Sequence, residues 1–73
     1  MSDFEVPVEY KLNTLNQRLE ALNVEGWHNE EAKLLALSIG NSEEVERLTA
    51  NIEIIKTAIA DVKARIAELS VEV

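Results

Sequence analysis

The chain of 73 residues carries fourteen acidic and seven basic side chains, a formal net charge of −7, and no cysteine. Phosphate backbones and anionic lipid repel a chain this acidic, so no nucleic acid and no membrane surface is expected among its partners. Without cysteine there are no disulfides and no thiolate metal sites, and a chain this short that lacks such staples ordinarily relies on association with other chains. The hydrophobic share, 47%, is too high for a disordered segment. The longest purely apolar run is Leu34-Leu35-Ala36-Leu37, and no signal-peptide pattern follows Met1. Neither a secretory leader nor a membrane span is expected, and the expected compartment is the cytoplasm.

Residues 1–7 read as an extended lead-in anchored by Phe4, followed by a single helical domain over residues 8–73. Pro7 fits the first position of a helix, where its missing N–H costs nothing. Val8, Leu12, Leu15, Leu19 and Leu22 then recur at alternating spacings of four and three, predicting a helix over about residues 8–24. Gly26 is expected to end it as a left-handed cap. Asn29, with Glu30 and Glu31 behind it, suits the start of a second helix over about residues 30–39. The apolar residues of that segment (Ala32, Leu34, Leu35, Leu37 and Ile39) surround most of its circumference, which predicts neighbours on several sides.

Gly40-Asn41-Ser42 forms the next break. Asn41 with Glu44, or Ser42 with Glu43 and Glu44, opens a third helix by capping-box logic, and no breaker follows from residue 43 to about residue 70. Along it Val45, Leu48, Ile52, Ile55, Ile59, Val62, Ile66, Leu69 and Val73 are spaced 3-4-3-4-3-4-3-4. This is a heptad seam with Val45, Ile52, Ile59, Ile66 and Val73 at a and Leu48, Ile55, Val62 and Leu69 at d, a repeat that implies left-handed supercoiling. Glu43–Arg47 and Asp61–Arg65 stand at i, i+4 in the favourable acid-first order.

The expected fold is therefore all-α: a helical hairpin with a broken first arm and a long second helix, packed in the manner of a coiled coil. Five apolar seam positions in the first helix cannot cover nine in the last. Ile54, Ala50, Ala58, Ala60, Ala64 and Ala67 widen the apolar stripe beyond what a two-stranded coil uses. A homo-oligomer follows, most simply a dimer of hairpins forming a four-helix bundle, with a trimer through the last helix as the second choice.

No residue set points to chemistry, so no catalytic residue, cofactor or metal is expected. His28, the lone histidine, has Glu30 and Glu31 near it, which does not complete a ligand set within one chain. No cysteine exists, and no second histidine could activate a serine. With two glycines in total there is no phosphate-binding loop. Trp27 is read first as a plug for the end of a small helical core and second as a contact for another protein.

The leading functional expectation is a non-enzymatic interaction protein that self-associates through Val45, Leu48, Ile52, Ile55, Ile59, Val62, Ile66 and Leu69 and scaffolds, tethers or caps a larger assembly. Its outside contacts are expected at Phe4 and Trp27. The second expectation is an acidic inhibitor or adaptor that meets a basic protein surface through Glu30, Glu31, Glu43, Glu44 and Glu46. In general style, a short, acidic, cysteine-free helical hairpin resembles small accessory proteins of bacteria and their phages, a likeness that rests on no diagnostic residue.

Overall fold

The computed structural model describes residues 4–71. Two antiparallel helices, α1 (Val8–Ser38) and α2 (Ser42–Val71), pack against each other along their length. Together they form a rod of 51 × 18 × 17 Å. The all-α hairpin expected from the spacing is what the chain forms. Val73, the last expected seam residue, lies outside the described residues.

The first arm is not broken. Gly26 and Asn29 were expected to stop one helix and start another, yet α1 runs through both without interruption. The reason is a seam that continues after Leu22 in residues that do not look apolar. Gly26, Asn29, Lys33 and Ala36 extend the four-and-three spacing, and each is wholly or partly buried against α2. A β-carbon at Gly26 would meet the Cγ2 atom of Ile55 at 3.4 Å, so α2 packs directly against the helix here. Asn29 caps nothing; its side-chain amide donates to the Glu25 carbonyl one turn back, at 2.8 Å. Pro7 sits one position earlier than expected, preceding the first helical residue, with its carbonyl accepting from Lys11 N–H at 3.2 Å.

The turn follows the expected logic. Gly40 takes the left-handed conformation (φ 71°), Asn41 N–H donates to the Ala36 carbonyl at 2.9 Å, and Gly40 N–H donates to Leu37 at 3.2 Å. Those two bonds make a Schellman motif, which satisfies the last carbonyls of α1. Asn41 then caps α2, its side-chain oxygen accepting from Glu44 N–H at 3.2 Å.

The core is thin. Leu48, Ile55, Val62 and Leu69, the d row of α2, are buried together with Ala36. The a row (Val45, Ile52, Ile59 and Ile66) is only half-buried, as are Val8, Leu12, Leu15, Leu19 and Leu22 on α1. The two arginines of α2 pair at i, i+3: Arg47 with Glu44 and Arg65 with Glu68, in place of the expected Glu43 and Asp61. Among the described residues, no helix is long and apolar enough to cross a membrane.

Candidate functional site

The feature with the most functional content is the side of α1 turned away from α2. With about 100° between successive residues, Trp27 falls well round the helix from its neighbour Gly26 on the seam. Leu34, seven residues on, shares the meridian of Trp27, with Val24 and Leu35 beside it. Trp27 is 57% exposed, Leu34 61% and Ile39 68%, and Leu35 and Leu37 are exposed as well. Trp27 is therefore not a core plug: the seam passes through Gly26 and on to Ala36, and the indole stands outside it, its ring tilted against His28 with 5.3 Å between centroids. The segment over residues 30–39 likewise has α2 on one side only, where Ala36 is buried, so the several neighbours expected around it are not supplied by this chain.

Two hollows mark this surface. A shallow groove of about 640 Å³ runs beside Trp27, bounded by Leu19, Val24 and His28 together with polar side chains of the same helix. At the tip of the rod, a hollow of about 340 Å³ lies between Leu37, Gly40, Val45 and Glu46. Each is open to solvent and walled mainly by aliphatic carbon, with no convergent set of polar groups.

The acids expected to contact a partner gather around the same region. Glu30, Glu31, Glu43 and Glu46 are exposed and take part in no ion pair among the described residues. Glu44 differs, because Arg47 binds it through both guanidinium and carboxylate forks. The hydrogen bond from Arg47 holds the Glu44 carboxyl below its ordinary value, and the same bond raises Arg47. Phe4 is exposed at the far end of the rod, away from Trp27, so the two expected outside contacts do not form one patch.

The seam expected to carry self-association splits into two roles. Its d row is spent inside the hairpin, while its a row keeps one flank in solvent, with Lys56 and Lys63 exposed on the same helix. Sequence reasoning missed the outward stripe of α1, although the spacing of Trp27 and Leu34 at seven residues was there to find. Among the described residues, no group of three or more histidine or acidic side chains is placed to share a metal ion. The serine hydroxyls of Ser38 and Ser70 donate to carbonyls of their own helices, at 2.8 and 2.9 Å. Comparison with protein families, with curated proteins and with solved structures finds no match for this chain.

Proposed function

We propose that this chain is a non-enzymatic, self-associating helical module that scaffolds, tethers or caps a larger protein assembly. The observation that carries this reading is the half-covered a row. Val45, Ile52, Ile59 and Ile66 form an aliphatic edge along α2 that α1 only partly shields, above a core of five buried residues. An unbroken row of β-branched side chains left partly wet is unfavourable in a lone chain and favourable at a helix–helix interface. A second hairpin laid along that edge completes a four-helix bundle, in which each helix buries both its a and its d residues. The lengthwise flank of a 51 × 18 Å rod is roughly 900 Å², comparable with the about 800 Å² per partner of a standard stable interface.

The test is sedimentation equilibrium at micromolar concentration, with the same run on Ile59→Lys. The expected result is a dimer, or failing that a trimer, for the parent chain and a shift to monomer for the variant, with circular dichroism recording whether helicity survives. A folded monomer of the parent chain contradicts the proposal. Assembly driven by seam packing changes little with salt, whereas docking by charge alone weakens steeply.

A further inference from the structure

We propose that the outward stripe of α1, from Val24 to Leu35, is a docking surface for a cationic amphipathic helix of another protein. The stripe is about 17 Å long at 1.5 Å per residue, the length of roughly three helical turns. On it Val24, Trp27, Leu34 and Leu35 are exposed, large apolar side chains within about 100° of one another round the helix, and Leu37 and Ile39 are exposed beyond them toward the turn. Exposed apolar surface of this extent, with a tryptophan on it, is the usual ground of a helix-in-groove contact.

Charge identifies the occupant. Between Glu20 and Glu46 the sequence holds seven carboxylates and one cation, Lys33. Lys33 is half-buried on the seam side, and Glu20 and Glu31 on the stripe, with Glu25 and Glu30 to either side of it, have no ion-pair partner among the described residues. An apolar stripe interleaved with carboxylates is complementary to a helix that carries leucine-like anchors flanked by lysine or arginine. A second copy of this chain fits it poorly. Stripe against stripe would set those four carboxylates against their equivalents, in molecules that each carry a net charge of −7. Self-association through the a row of α2 leaves the stripe uncovered, because it lies on the side of α1 opposite the seam. The docking surface therefore goes beyond the self-association reading and does not depend on it.

Trp27 is the sole tryptophan and lies on the stripe, so its emission reports occupancy directly. The probe is a synthetic amphipathic helical peptide with leucines at i, i+3 and i+7 and lysines flanking them. A control peptide carries glutamate in place of lysine. With the lysine peptide we expect a saturable blue shift of Trp27 emission, weakened roughly tenfold between low and high salt. Leu34→Ser, and separately Glu30→Lys with Glu31→Lys, should each weaken binding about tenfold with helicity unchanged. No shift with the lysine peptide overturns the proposal, and so does an equal shift with the glutamate control. It is likewise overturned if Leu34→Ser dissociates the parent oligomer, since the stripe would then be a self-contact. Sedimentation of the same samples keeps the readings apart. An oligomer that ignores the peptide removes the docking surface alone, and a monomer that binds it removes self-association alone.

Discussion

The two halves of α1 belong to one continuous helix and use it in opposite ways. From Val8 to Leu22 the large aliphatic residues point at α2 and the outer face is polar, as expected of an amphipathic arm. From Gly26 to Ala36 the inner face carries a glycine, an asparagine, a lysine and an alanine, while tryptophan and leucines face outward. The same helix is thus built to serve its own hairpin at one end and something outside it at the other. The loop half keeps its helical course because α2 offers a continuous aliphatic surface and the turn at Gly40 fixes the register. A strong apolar stripe of its own is not required.

Truncations on the two faces should separate them most sharply. Leu48→Ala or Ile55→Ala, inside the hairpin, should cost about 2–5 kcal/mol by urea denaturation. Leu34→Ala, of the same chemistry but on the outer face, should stay within about 0.5 kcal/mol for the unbound protein. Equal costs would mean that the outer leucines support the fold and that the contrast is false. The two glycines give the next largest effect, with opposite signs. Gly40→Ala forces a side chain into the left-handed region and should lower stability by about 1–2 kcal/mol. Gly26→Ala sits in helical geometry, with its new methyl at the edge of ordinary contact with Ile55, and should raise stability by about 0.5–1 kcal/mol. A loss at Gly26 would show that the close approach of α2 needs bare backbone.

The smallest effect concerns the start of α2. Glu44 is held below its ordinary value of 4.5, chiefly by the Arg47 hydrogen bond. Its folded value is thus lower than its unfolded one. The associated stability is present above pH 4.5 and is lost as pH falls through the lowered folded value. An NMR titration should place the Glu44 carboxyl below its ordinary value, and Arg47→Gln should return it there.

Much of this architecture is legible in the residue order. The α2 seam stands out because every position in it is aliphatic, and Gly40 with Asn41 states a stop and a start in adjacent residues. The continuity of α1 is not legible, for a physical reason. Gly26 and Asn29 are favoured at helix ends when a helix stands alone, but here packing against α2 outweighs that preference. Three of the four residues that extend the seam are invisible to a count of apolar side chains. Trp27 was misplaced in consequence: with the helix ended at Gly26 the indole would cap a core, and with the helix continued it is carried to the outside. The ion pairs form at i, i+3 and not at i, i+4: Arg47 takes Glu44 next to the expected Glu43, and Arg65 turns from Asp61 before it to Glu68 after it, a choice that spacing alone leaves open.

The placement of the single turn has a mechanical consequence. Residues 8 and 71 lie at the same pole of the rod, opposite Gly40, so tension applied between them does not shear the whole interface at once. It unzips the hairpin, loading one layer of side chains after another from the open pole toward the loop. A tether attached at that pole would yield gradually and at low force, whereas the same two helices pulled from opposite poles would resist together.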